Sequence, residues 1–231
     1  MIQSIYMKNP WLIIGIITVV LFGGAIWYSG VSAEKNNEGV VTQSNFKGNP
    51  EAATKLVEYS DLQCPACAAF DPVVKELLAE YGDMISFEYK HFPLPIHPNA
   101  QNAAIAAEAA GQQGEFFAMH DLLFDNQSEW SQAAVPGVFF AQYAEEIGLD
   151  MSKFTQHQKS SILRDKVMSE FSEGKEMGVT GTPTFFLNGK KMSFTTYPEF
   201  IDQVKYAIDP SSVQSEDGVE VNVDSGVRFG L

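Results

Sequence analysis

The sequence predicts an α/β domain behind one apolar membrane-spanning helix, and three observations predict it. A strand-like run, Lys55-Leu56-Val57-Glu58-Tyr59-Ser60-Asp61, leads to Cys64-Pro65-Ala66-Cys67 and then into apolar residues at helical spacing. Far downstream, Thr182-Pro183 opens a second apolar strand, Thr184-Phe185-Phe186-Leu187, which ends in an Asn188-Gly189 hairpin turn. Ahead of both, no charged residue occurs between Pro10 and Ala33. With 231 residues, 45% of them hydrophobic and 12% aromatic, the chain can build one domain with a sizeable core plus appendages.

Residues 1–33 read as a cytoplasmic stub and a transmembrane anchor. A helix of about 20 residues crosses a hydrocarbon core of about 30 Å, and Trp11, Trp27 and Tyr28 fall where interfacial aromatics belong. A signal peptide cleaved near Val31-Ser32-Ala33 is the rival reading. The apolar run exceeds the roughly 7 to 15 residues of a signal core and has aromatics at both ends, which favours the anchor. Lys8 precedes the span while Glu34, Lys35 and Glu38 follow it. The positive-inside bias keeps the N-terminus cytoplasmic and puts the body on the periplasmic or extracellular face.

Residues 34–53 are polar, rich in Asn and Gly and without periodicity, and predict a flexible tether. The domain proper spans 54–209. Its first β-α-β unit has a strand over 55–61, a helix over 66–81 and a strand over 85–91. Phe70, Val73, Val74, Leu77 and Leu78 recur at helical spacing, and Gly82-Asp83 ends the helix. From about 97 to 177 the pattern is a helical insertion, with helices over 102–110, 115–124, 138–147 and 162–177. Its phenylalanines (Phe116, Phe117, Phe124, Phe139, Phe140) read as core rather than as a binding groove. A β-β-α unit closes the domain with strands over 184–187 and 191–194 and a helix over 198–207. Residues 210–231 are Ser-, Gly- and acid-rich. Alternation over 219–223 permits an edge strand, but composition favours a disordered acidic tail.

A formal charge of −14 argues against nucleic-acid binding, because phosphates would be repelled. Cys64 and Cys67 are the only cysteines, so no structural disulfide framework competes for them. Pro65 fits the first helical turn, where its missing N–H costs nothing. The helix N-terminus carries about half a positive charge and favours Cys64 as thiolate, the species that attacks disulfides. Cys67, one turn on, is placed to attack the resulting mixed disulfide. A structural zinc site needs about four ligands, and no second CxxC or spaced His pair accompanies this one, so no metal is expected. Two buried structural thiols remain the bland alternative. A Pro-flanked pair opening a helix favours the reactive one.

In combination these residues resemble the DsbA-like branch of the thioredoxin superfamily, extracytoplasmic thiol-disulfide oxidoreductases, and especially its membrane-anchored forms. The matching positions are Glu58 six residues before Cys64, the Cys64-Pro65-Ala66-Cys67 motif, Lys90-His91-Phe92-Pro93-Leu94, and Thr182-Pro183 before Thr184-Phe185-Phe186. The resemblance covers about 54–209 and implies a thioredoxin-like fold with a helical insertion. It implies a nucleophilic Cys64, a resolving Cys67 and a cis Thr182-Pro183 bond packed on the pair. Thr182 would then offer its backbone to an extended substrate segment, which keeps specificity broad.

Glu58 lies on an apolar strand, where an unpaired carboxylate has a raised pKa. The functional reading is that it exchanges the proton of Cys67 through water, with Lys90 as its charge partner; a solvent-facing strand residue is the alternative. His91 and His97 flank a Pro-rich loop and are assigned no chemistry. The strongly oxidising members carry a His in the motif, and Ala66 cannot replace it. The expected Cys64 pKa is therefore below that of a free thiol but less extreme, with a milder oxidant as the consequence.

The leading expectation is an oxidoreductase that donates the Cys64-Cys67 disulfide to reduced, partly unfolded extracytoplasmic proteins, with no other cofactor. The family implies reoxidation by a quinone-linked membrane partner. Two alternatives stand beside it. One is a reductase or isomerase fed by a membrane electron donor, against which the short tether argues because it has no room for a dimerisation module. The other is a binding or chaperone-like protein whose dithiol is incidental.

Overall fold

The computed structural model describes residues 10–211; stub residues 1–9 and the expected acidic tail beyond 211, with its alternation over 219–223, lie outside them. Helix α1 (Pro10–Asn37) is continuous over 28 residues. Within its stretch Ile13–Asn37 an 18-residue window has a mean hydropathy of 1.9 and no residue buried against protein, and the stretch is long and apolar enough to cross a membrane.

Residues 34–53 depart from the expected flexible tether. Helix α1 runs on to Asn37, whose carboxamide donates to Ser161 Oγ at 3.0 Å and accepts from Ser160 Oγ at 2.8 Å. Strand β1 (Asn45–Gly48) then pairs antiparallel with β3 (Ile85–His91). Four residues with a single apolar side chain give no periodic signal, and the burial of Asn45 is explained only by a distant partner, the Glu108 carboxylate, at 2.7 Å. Gly48 has φ 82°, and a Cβ there would strike the Ile85 carbonyl, so the turn out of β1 requires glycine.

The sheet order is β1-β3-β2-β4-β5, with β2 being Thr54–Ser60, β4 Thr184–Leu187 and β5 Lys190–Lys191. Strands β2 and β3 are parallel and joined through α2 (Pro65–Tyr81); the other pairs are antiparallel. The Asn188-Gly189 turn has φ 49° and 79°, the paired positive values of a two-residue hairpin. Strand β5 stops at Lys191, short of the expected 191–194. Phe194 instead turns inward to a cluster with Phe70, Phe185 and Phe200, at ring distances of 5.5, 6.1 and 5.1 Å.

Between β3 and β4 lie α3 (Ala100–Gly111), α4 (Phe116–Asp125), α5 (Gln127–Trp130), α6 (Gly137–Glu146), α7 (Met151–His157) and α8 (Ser161–Glu176), followed after the sheet by α9 (Tyr197–Ile208). The short α5 and α7 carry too few residues for a periodic signal. Phe116, Phe124 and Phe140 are buried and Phe117 and Phe139 pack against them, so these rings are core. One sheet face (Leu56, Phe87, Tyr89, Phe185) packs under α2 and α9; the other (Val57, Tyr59, Phe186) meets Phe92 and Phe171. There α8 approaches so closely that a Cβ on Gly174 would lie 2.7 Å from the Phe92 ring.

A buried ionic knot ties the insertion to the sheet. Glu108 of α3 accepts from Lys166 Nζ of α8 at 2.6 Å, Asn45 of β1 at 2.7 Å and His91 Nε2 of β3 at 3.1 Å. Burial alone would push the Glu108 carboxyl up, but His91 and Lys166 reverse this and hold it below its ordinary value. Glu170 also receives Lys166, at 2.6 Å, and its second oxygen takes the His91 backbone N–H at 2.8 Å. Glu108→Gln is expected to lower stability by about 2 kcal/mol, read from urea unfolding, and not by the full cost of an orphaned ion because Glu170 still holds Lys166. An unchanged midpoint would make the knot neutral.

Candidate active site

Strand β2 delivers the chain to the motif through a tightly bonded corner. The Cys64 amide donates to the Asp61 carbonyl at 2.9 Å, and Gln127 Nε2 donates to the carbonyls of Leu62 and Cys64 at 2.8 and 3.1 Å. The Asp61 carboxylate is 1% exposed, so its charge must be met internally. It accepts from the amides of Gln63 and Leu94 at 2.7 and 2.8 Å, and His97 Nδ1 lies 2.7 Å away. Gln63 continues the network to the Asn99 amide and the Ser131 carbonyl. The residues Asp61, Gln63, His97, Asn99 and Gln127 fix the reactive loop. A charged residue closing an apolar strand three positions before Cys64 was their only sequence signal.

Cys64 is the N-cap of α2, with Pro65 in the first turn and Ala66 following; Cys64 is nearly and Cys67 fully buried, and the two thiols are not joined. The Thr182-Pro183 bond is cis, and the Thr182 carbonyl lies 3.5 Å from Cys64 Sγ. Pairing of β4 with β2 brings these distant residues over the motif. The Cys67 thiol donating to Cys64 sulfur lowers the Cys64 pKa to about 5, against opposing burial, with help from the Thr182 hydroxyl and the amides of Cys67 and Ala66. Burial, then the neighbouring Cys64, pushes Cys67 well above a normal thiol. The pair is thus strongly asymmetric.

Glu58 sits on β2 beneath the motif, 5% exposed. Desolvation raises its pKa from 4.5 to about 8; the Ser60 hydroxyl opposes this, while the charges of Asp71 and Cys64 add to it. Lys90 is not its partner, which corrects the sequence expectation. In the parallel register Glu58 lies opposite Tyr89 and Tyr59 opposite Lys90, so the alternation of a strand sends Glu58 and Lys90 to opposite faces. Lys90 Nζ instead meets Glu173 of α8 at 2.6 Å, over the Tyr59 ring.

Among the described residues, two clusters offer three metal-ligating side chains each, His91/Glu108/Glu170 and Asp71/His120/Asp121. Lys166 already sits 2.6 Å from Glu108 and Glu170, and Lys75 lies 2.7 Å from Asp71 and 3.3 Å from Asp121. A lysine ammonium therefore fills each cation position. Neither cluster includes Cys64 or Cys67.

Comparison with known proteins agrees with this geometry. The thioredoxin family model matches residues 41–209. Over 150 residues the chain is 38% identical to a protein of Salinispora tropica named Na(+)/H(+) antiporter NhaA 3, and over 154 residues 36% identical to Na(+)/H(+) antiporter NhaA 1 of Mycobacterium sp. (strain KMS). Each match covers 64% of this chain but only 22% and 24% of those proteins, so the chain spans less than a quarter of the curated relatives' length. Among solved structures it resembles Wolbachia pipientis alpha-DsbA1 (TM-score 0.65, 20% identity, 77% of this chain and 97% of that one). It also resembles oxidised BdbD from Bacillus subtilis (0.63, 20%, 74% and 94%) and a thioredoxin-like oxidoreductase from Silicibacter pomeroyi DSS-3 (0.61, 24%, 76% and 95%). The family match over 41–209 shows that the chain belongs to the thioredoxin family, and its fold, with a helical insertion behind one N-terminal apolar helix, is that of the DsbA-like structures.

Proposed function

We propose that the chain is an anchored extracytoplasmic oxidase that donates the Cys64-Cys67 disulfide to reduced, partly unfolded proteins and is reoxidised by a quinone-linked membrane partner. The observation that carries the direction is the asymmetry of the pair. A Cys64 pKa near 5 stabilises the reduced form as a thiolate, and stabilising the reduced form makes the disulfide the stronger oxidant. A substrate thiolate attacks Cys64 Sγ, the Cys64–Cys67 bond breaks, and its electron pair leaves on Cys67. A second substrate thiolate then attacks the substrate sulfur of the mixed disulfide and expels Cys64 as thiolate. Two electrons pass from substrate dithiol to enzyme disulfide. Thr182, beside Cys64, would pair its backbone with the extended substrate, and Glu58 would hold the proton that Cys67 gains.

The apolar α1 supports an uncleaved anchor with the domain outside the cytoplasm, where disulfides persist. The antiporter names of the curated relatives describe proteins of which the matched segment is 22%, so antiport is not carried over.

Equilibration in glutathione buffers tests the direction. A reduction potential nearer about −120 mV supports donation, whereas one near about −270 mV would assign a reductase. Cys67→Ser is expected to accumulate Cys64 mixed disulfides with exported proteins on non-reducing gels; a variant that traps none would remove the exchange role.

A further inference from the structure

We propose that Ser60 is the relay through which a proton passes between Glu58 and Cys67. This deepens the reading of Glu58 given above and rests on it. Alternation along β2 sends Glu58 and Ser60 to the same face of the sheet, beneath α2, while Tyr59 between them faces the other way into the Phe92 and Phe186 cluster. Ser60 is fully buried, and its hydroxyl has no hydrogen-bond partner; the Tyr89 hydroxyl, on the strand position opposite Glu58, is orphaned as well. Two unpaired hydroxyls at one spot in a packed core are unfavourable for folding alone, and such groups call for a role.

The surroundings supply one. The Ser60 hydroxyl lies close enough to Glu58, Cys67 and Tyr89 to ease the ionisation of all three. It is therefore a shared neighbour of the sulfur that must gain a proton and the carboxyl that holds one. The titratable groups facing this spot are Glu58 of β2 and Asp61 just after it, Tyr89 and His91 of β3, Cys64 at the N-cap of α2, and Cys67 and Asp71 of α2. On its far side Glu58 opens into a cleft of about 10 Å³, room for about one water, lined by Asp71, Lys75, His120 and Asp121. The proton thus has an inner relay and an outer way to solvent.

When the Cys64–Cys67 bond breaks, the electron pair remains on Cys67 sulfur. Ser60 Oγ gives its proton to that thiolate and takes the Glu58 proton in its place. Cys67 ends as a thiol, Ser60 is unchanged, and Glu58 is left as a carboxylate. Reoxidation runs the same transfers backwards.

The test follows formation and resolution of the mixed disulfide against pH in the full chain, by stopped flow, for Ser60→Ala, Ser60→Thr, Glu58→Gln and the Ser60/Glu58 double variant. Ser60→Ala is expected to slow the Cys67-dependent step about tenfold or more near neutral pH and to flatten its pH profile. Ser60→Thr, which keeps the hydroxyl, is expected to restore it. The double variant is expected to be no slower than the slower single one, because both residues serve one path. The alkylation midpoint of Cys64 stays in place in Ser60→Ala, and removing an orphaned hydroxyl leaves the fold at least as stable. If Glu58→Gln slows the step and Ser60→Ala does not, the relay is overturned and the carboxyl works through water; additive losses also overturn it. If Glu58→Gln leaves the step unchanged, the underlying reading of Glu58 fails with it.

Discussion

Cys64→Ser is expected to reduce disulfide exchange to the uncatalysed background while leaving the fold intact. Cys67, the other thiol, is wholly buried and held protonated, so it offers no replacement nucleophile. In the native reduced protein the thiolate absorbance is expected to titrate with a midpoint near pH 5, and Cys64→Ser loses that signal across the neutral range. The same shift has a stability consequence. Folding lowers the Cys64 pKa from its ordinary 9.0 to about 5, so the folded reduced protein binds fewer protons than the unfolded chain between those values. The stabilisation is fully present above pH 9 and is lost as pH falls through 5. The oxidised protein has no such group. The urea midpoint of the reduced form is therefore expected to gain on that of the oxidised form as pH rises from 4 to 7; a constant difference would place the Cys64 pKa elsewhere.

Glu58 is expected to act in the opposite sense. Its folded pKa of about 8 lies above its ordinary 4.5, so the folded protein holds an extra proton over that interval and stability declines as pH rises through it. A shift of that size in a buried carboxyl corresponds to about 4 kcal/mol by pH 8. Glu58→Gln removes the titration and keeps a polar group next to Ser60. In the oxidised form, where Cys64 does not titrate, the variant is expected to be several kcal/mol more stable than the native chain at pH 8 and to lose the decline between pH 5 and 8; it is also expected to exchange disulfides more slowly. Parallel pH profiles of the two proteins in urea would mean that Glu58 is ionised and solvated. Retaining a destabilising acid beneath the reactive sulfurs is the trade of stability for chemistry expected at an active site.

Much of this was legible because the signals are local. The apolar strand, the Pro65 helix start and the spacing of Phe70, Val74 and Leu77 each express one period, and the structure places β2 and α2 there. Asn188-Gly189 specified its hairpin through backbone conformation alone. What stayed hidden depends on parity or distance. Whether Lys90 or Tyr89 faces Glu58 is decided by one residue of register, which composition does not record. Strand β1 is buried through a polar bond to Glu108, 63 positions away, so an apolar pattern had nothing to report. In sequence His97 looks like a plain loop histidine because its partner Asp61 lies 36 residues upstream.

The knot at Glu108 fixes more than stability. One carboxylate is shared by two helices of the insertion and two strands of the sheet, so these four elements cannot shift past one another without breaking buried charged hydrogen bonds. For the oxidase proposed above, a frame tied in this way leaves adjustment to the bound segment of the substrate. On that proposal, a polypeptide still loose enough to lay a short stretch along Thr182 meets the demand, and one that has finished folding does not.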